Sequence, residues 1–317
     1  MIRIGMVGSE STHALTFARL ANLPGKNGCF PFGEARVTEI WGGDGGRTRQ
    51  VAREGRIPRI AEKPEDMLGR VDAVMVVPRD GSLHKRYALP FLRAGIPAWV
   101  DKPLAVRYSD ALEMVKAARE HGTFLTGGSN VKFSRDVEAL RTSFGRMRKS
   151  GTFRSAALNF PADLQSPYGG LYFYAGHGAE MLTSIFGGGV RSVKTDVNGG
   201  TLIGLFRYPG FTVTVNFADT PEYYGILYAA DKTEARSVDL SSIYQQGFAD
   251  FLKRLKERKN PVSYEPLLLP VRLLNALDAS VRRGGDEVPV APADGTSGDG
   301  EDSGHSERKA VSPARGF

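Results

Sequence analysis

The chain has 317 residues, 41% hydrophobic and 24% charged, with 42 basic against 35 acidic side chains for a formal net charge of +7. That length suffices for two domains with a sizeable core. No apolar run reaches the roughly 20 residues of a bilayer span, and the N-terminus enters a strand without a signal-peptide pattern, so a cytoplasmic protein without membrane partners is expected.

In chain order, residues 2–7 read as a strand and Gly8-Ser9-Glu10-Ser11-Thr12 as a turn rich in capping residues. Ala14, Phe17, Ala18 and Ala21 then fall on one face of a helix. Strands are expected at 36–41, 72–77, 96–100 and 123–126, with helices at 48–54, about 83–94 and about 109–121. Strands alternating with helices over about 125 residues argue for a doubly wound parallel sheet. The composition then changes: 153–160, 190–197, 201–208, 211–217 and 223–229 are strand-like, several separated by short Gly-, Asn- or Pro-containing turns, which predicts an open, mostly antiparallel sheet. Helices are expected at about 176–186, 242–258 and 266–283. The expected fold class is therefore α/β: a Rossmann-like domain over 1–126, an α+β domain over 127–290 and a disordered tail over 291–317.

The single Cys29 leaves no internal disulfide and no cysteine-rich metal site. Basic residues are scattered over helix patterns without interleaved aromatics, so no nucleic-acid partner is expected, and the excess charge suits an anionic cofactor or substrate.

The first turn sits where a dinucleotide-binding loop would sit. The Gly-x-Gly-x-x-Gly positions read Gly8, Glu10 and His13, so one glycine of three is present. A helix N-terminus flanked by Ser9, Ser11 and Thr12 still favours an anion, whereas the Glu10 carboxylate opposes one. The carboxylate that normally takes the adenosine ribose about twenty residues on is replaced by Gly42. Asp44, two residues late, either reaches the ribose or starts the turn before the next helix, and Arg47 and Arg49 leave NAD and NADP both open.

Asp101-Lys102-Pro103 follows an apolar run at the end of a strand, the edge that opens into the ligand crevice of such sheets. An ammonium there can stabilise a developing alkoxide; alone, the triplet also suits a solvated surface pair. His177 stands among small neighbours, and neutral imidazole is a proton acceptor near pH 7; a hydrogen-bonded core histidine is the alternative. His177 and Glu180 have no evident third ligand, so no metal is expected.

Taken together, residues 1–290 resemble the Gfo/Idh/MocA family of nicotinamide-dependent oxidoreductases. Val77-Pro78 followed by His84 matches its strand-end Pro and downstream His. Gly95-Ile96-Pro97-Ala98-Trp99-Val100-Asp101-Lys102-Pro103 matches its Gly-x-x-x-x-x-Glu-Lys-Pro segment, with Asp for Glu. His177-Gly178-Ala179-Glu180-Met181-Leu182 matches its His-x-x-Asp-x-Leu helix start, with Glu for Asp. The resemblance implies NAD or NADP as cofactor, held by the first turn together with Asp44, Pro78, His84, Asp101 and Lys102. It implies a sugar or cyclic polyol as substrate, with Lys102 polarising the hydroxyl and His177 exchanging its proton. Tyr168, Tyr174 and Glu180 would join them in the substrate pocket, with Tyr172 nearby. It also implies a homodimer or homotetramer built through the second sheet. The family's Asp four residues before the His falls on Phe173 or Tyr174, neither a carboxylate, and the Gly-Ser-Glu-Ser-Thr-His-Ala turn is similar to that of a divergent branch. Two other functions are compatible: a lyase, epimerase or glycosidase that recycles a bound nicotinamide, and a redox-inactive member that binds a ligand or a partner.

Overall fold

Strict alternation in the first strand sends Ile4 and Met6 to one side and Val7 to the other, so this sheet must be covered on both faces. A computed structural model describes residues 1–25, 28–258 and 260–291; the tail expected over 291–317 therefore lies, apart from Ala291, outside the described residues. The first sheet contains β1 (Ile2–Val7), β2 (Ala35–Trp41), β3 (Arg59–Ile60), β4 (Ala73–Val76), β5 (Ala98–Val100) and β6 (Leu125–Gly127), all parallel, in the order β3-β2-β1-β4-β5-β6. Strand order reverses between β1 and β4, where doubly wound sheets open a crevice.

One face carries α1 (Thr12–Asn22) and α2 (Gly45–Glu54), the other α3 (His84–Arg93) and α4 (Tyr108–Glu120). Each layer is completed from the distant end of the chain. Phe248, Phe251 and Leu252 of α7 (Ile243–Glu257) pack with Phe17 and Trp99, while Leu268 and Val271 of α8 (Glu265–Arg282) join the α3/α4 side. The 126/127 boundary falls inside β6, and packing crosses it, because α7 covers the first sheet and α8 packs on both.

The second sheet runs β12-β11-β7-β10-β9-β8-β13, built from β7 (Phe153–Pro161), β8 (Ser192–Asn198), β9 (Thr201–Tyr208), β10 (Phe211–Ala218), β11 (Tyr224–Ala229), β12 (Thr233–Ser237) and β13 (Val288–Pro289). All its pairs are antiparallel except β7 with β10. Leu158, Phe160, Val213, Val215 and Phe217 point to a core under α5 (Arg135–Lys149), α6 (Leu171–Phe186) and α8. The opposite face is open, exposing Ile203 and Tyr228.

Strands β3, β12 and β13 lie where no strand is expected, and two helices also differ from expectation. Helix α5 lies where no element was assigned, although Ser134 caps it and Val137, Leu140 and Met147 are buried along one face. Helix α6 begins at Leu171 rather than 176, entered through Gly169-Gly170, so His177 sits in its second turn instead of at its start.

Candidate active site

The crevice is lined by the turns that leave the parallel strands. Gly8 ends β1 at a φ of +103°, and a Cβ there would lie 2.6 Å from the Pro78 nitrogen, so the β1 and β4 turns meet as closely as backbone allows. Ser11 caps α1 by accepting from the His13 N–H at 3.1 Å. His13, at the third fingerprint position, is held at both nitrogens: Nδ1 is 2.5 Å from Asp101 Oδ2 and Nε2 is 2.7 Å from the Tyr244 hydroxyl. The other Asp101 oxygen accepts from the Lys102 N–H at 2.8 Å. Burial alone would raise the Asp101 pKa, but the His13 and Lys102 charges and their hydrogen bonds hold it below the usual carboxylate range.

Lys102 follows β5 and is only 6% exposed. Its Nζ donates to the Phe173 carbonyl at 2.6 Å and stands 4.0 Å over the Phe173 ring centroid. Burial, reinforced by the Arg79 charge and opposed by Asp101, lowers its pKa to about 8. Lys102 lines a cavity of about 350 Å³ together with Ser11, Thr12 and His13 of the first turn, Asp101, Arg79, Tyr168 and Tyr174. The anion-favouring turn and the ammonium thus share one space, of the size small ligands occupy.

Helix α6 brings His177 to the rear of this group. A Cβ on Gly176 would lie 3.7 Å from the Lys102 Cβ, so the second turn of α6 rests directly on the β5 turn. His177 Nδ1 is 2.7 Å from Ser129 Oγ. Burial and the nearby Lys102 and His13 charges push its pKa well below the usual histidine value, leaving a neutral imidazole at pH 7. His177 does not itself line the cavity wall formed by Lys102 and Tyr174.

Other expected site residues lie elsewhere or are engaged. His84 is fully buried, with its nitrogens on the Pro103 and Pro78 carbonyls, so it ties two turns together and offers nothing to a cofactor. Asp44 caps α2, its Oδ1 accepting from Gly46 and Arg47. Glu180 pairs with Lys132 at 2.8 Å and accepts from the Ser129 N–H, and it lines a separate cavity beneath α5. The Tyr172 hydroxyl bonds Asp278 on α8, away from the crevice, whereas Tyr168 accepts from Arg79 Nη1 at 3.0 Å on the cavity wall. Ser9 is buried, its hydroxyl 2.9 Å from that of Thr48.

Three participants carry no readable signal in sequence. Arg79 lies one residue past the strand-end Pro, Tyr244 is 231 positions from the histidine it touches, and Ser129 looks like a loop residue. Where the expected acid is missing, the Phe173 backbone carbonyl receives the lysine instead. Among the described residues no group of three His, Cys, Asp or Glu could hold a metal, and no helix is long and apolar enough to cross a membrane.

Residues 2–129 match the sequence pattern of an oxidoreductase family with an NAD-binding Rossmann fold. The chain is 28% identical over 160 residues to inositol 2-dehydrogenase 2 of Saccharopolyspora erythraea, covering 50% of this chain and 42% of that protein. It is 26% identical over 227 residues to trans-1,2-dihydrobenzene-1,2-diol dehydrogenase of Sus scrofa, covering 66% and 64%. The matched regions thus span less than two thirds of these relatives. The fold is shared with myo-inositol dehydrogenase from Lactobacillus casei, solved with NAD(H) and myo-inositol, at a TM-score of 0.77 and 14% identity over 93% of this chain and 98% of that one. The family whose pattern residues 2–129 match is the Gfo/Idh/MocA oxidoreductases.

Proposed function

We propose that the protein is an NAD(P)-dependent oxidoreductase of a sugar-like or cyclic polyol substrate, with Lys102 and His177 flanking the reacting carbon. The observation that carries this reading is the buried Lys102 ammonium opening into one cavity with the α1 N-terminus. The donor set fits a dinucleotide: Gly8 lets the β1 and β4 turns close up, and Ser11 and Thr12 line the cavity at the positive end of α1. Bound there, a nicotinamide supplies hydride acceptance or donation.

The chain supplies the remaining chemistry. Lys102 Nζ keeps one hydrogen bond to the Phe173 carbonyl and can donate another to the substrate oxygen, favouring the alkoxide-like state. With its Nδ1–H given to Ser129 Oγ, His177 has Nε2 free to accept the hydroxyl proton, or to return it in the reductive direction. Tyr168 and Tyr174 offer aromatic faces to an apolar ring surface, and Arg79 holds the Tyr168 hydroxyl. The open face of the second sheet is the surface through which copies of the chain would associate.

A panel of inositols and pyranoses tests the reading, with NAD and NADP reduction followed in the wild type, Lys102→Ala and His177→Ala. Both variants should fold and lose at least a hundredfold in turnover; full activity in both would refute the assigned roles. A second reading, a redox-inactive binding protein, is favoured by Glu10 standing where a fingerprint glycine is expected, and would show no affinity for any nicotinamide nucleotide.

A further inference from the structure

The end of β2, where a dinucleotide fold normally presents a carboxylate to the adenosine ribose, cannot carry one in this chain. A Cβ at Gly42 would lie 2.1 Å from Ser9 Oγ and 2.6 Å from Thr48 Oγ1, two hydroxyls bonded to each other in the interior. Asp44, the next acid along, is committed to capping α2 through Gly46 and Arg47. A carboxylate nevertheless stands at that strand end, delivered from the neighbouring turn. Glu10 Oε1 accepts from the Gly43 N–H at 3.1 Å, and Oε2 accepts from the Ser9 N–H at 3.1 Å. The side chain is therefore drawn sideways, from the α1 N-terminus toward the β2 turn, and it is only partly buried. The Arg47 guanidinium is tied by Nε to the Ser9 carbonyl at 3.2 Å and by Nη1 to Gln50 at 2.9 Å, which holds it against α2.

We infer that Glu10 replaces the missing β2 carboxylate and makes the site selective for a dinucleotide with a free 2′-hydroxyl, NAD, over its 2′-phosphorylated form. The inference rests on the nicotinamide reading above. An ionised carboxylate accepts hydrogen bonds from ribose hydroxyls, whereas a 2′-phosphate beside it meets like charge in a partly desolvated site. The residue that breaks the fingerprint is thereby a specificity element, and the smaller loop glycine is exchanged for a side chain with a place to go.

Calorimetric titration of the full chain with NADH and with NADPH tests this in the wild type, Glu10→Gln and Glu10→Gly, with thermal melting confirming that each variant folds. The amide of Glu10→Gln retains an acceptor for the Gly43 N–H but removes the charge. Wild type should bind NADH at least tenfold more tightly than NADPH, and Glu10→Gln should shrink that ratio at least tenfold, mainly by weakening NADH. Glu10→Gly, which restores the fingerprint glycine, should weaken NADH too. If Glu10→Gly instead tightens NADH, the carboxylate obstructs the site and the inference fails. It fails equally if wild type shows no preference or prefers NADPH, although the nicotinamide reading then survives. Binding of neither nucleotide to wild type overturns both.

Discussion

Replacing Lys102 with Met should make the protein more stable at pH 7 while abolishing turnover. The ammonium pKa falls from 10.5 to about 8, chiefly through burial and then through Arg79, with Asp101 pulling the other way. In the unfolded chain the proton is held until about pH 10.4. Between these values the unfolded state binds more protons than the folded one, so stability rises with pH; below pH 8 the cost of the buried charge is complete. At about 1.4 kcal/mol per pH unit, that cost is about 3 kcal/mol. Methionine keeps an unbranched chain in the same space without the charge, and should recover most of it, about 2–3 kcal/mol at pH 7. Urea unfolding of wild type and Lys102→Met at pH 7, 8, 9 and 10 reads the difference directly, because Asp101 and His177, the groups that feel the Lys102 charge, titrate below this range. The advantage of the variant should shrink above pH 8 and approach zero near pH 10.5. A variant less stable at pH 7, or a difference that does not change with pH, would mean that the ammonium is a structural asset and would remove the argument for its function.

His177 should give the pH–rate profile of kcat/KM no break near 6.5, because burial and the Lys102 and His13 charges hold its pKa well below that value; a limb close to pH 6.5 that disappears in His177→Ala would contradict its placement. Asp101→Asn should destabilise the fold by about 1.5–3 kcal/mol at pH 7, since a charge-assisted bond to His13 is lost while an acceptor for the Lys102 N–H is kept. The Asp101 pKa is lowered on folding, so its contribution is present above the unfolded carboxylate range and disappears as pH falls through the folded value. Denaturation midpoints of the two proteins should accordingly converge in strong acid.

The first sheet was legible because its strands announce themselves locally. Val74 and Val76 face one helical layer, Met75 and Val77 the other, and the apolar runs leave no solvated side. Lys102 was legible for a related reason: a charge directly after a buried strand is costly unless it meets a partner or a ligand. Helix α5 was hidden by its own composition, since RDVEALRTSFGRMRK carries so many exposed basic residues that the buried Val137–Leu140–Met147 stripe is thin. The early start of α6 was hidden by an aromatic run, Leu171 to Tyr174, whose hydrophobicity fits a strand or a pocket as well as a helix. His84 and Glu180 stand where the resemblance places functional groups, but each finds partners within the chain that no local pattern reveals: two carbonyls for the first, Lys132 and a backbone N–H for the second.

The site's departures from the pattern it resembles share a physical form. The acid expected near 173 is replaced by a backbone carbonyl that holds Lys102, and the ribose carboxylate by Glu10. The third glycine is replaced by a histidine satisfied at both nitrogens by Asp101 and Tyr244. A scaffold that had merely lost its chemistry would leave such positions to drift, and the simplest drift at 102 is loss of the amine, because nearly any apolar residue relieves the desolvation cost worked out above. The buried side-chain atoms left without partners among the described residues lie on Thr38, Arg70, Thr123, Asn130 and Arg272, none of which lines the Lys102 cavity. Buried polar groups held by partners around one costly cation, with His177 Nε2 left to exchange a proton, are what a preorganised site requires. That combination, more than any single matched residue, weighs against the redox-inactive reading.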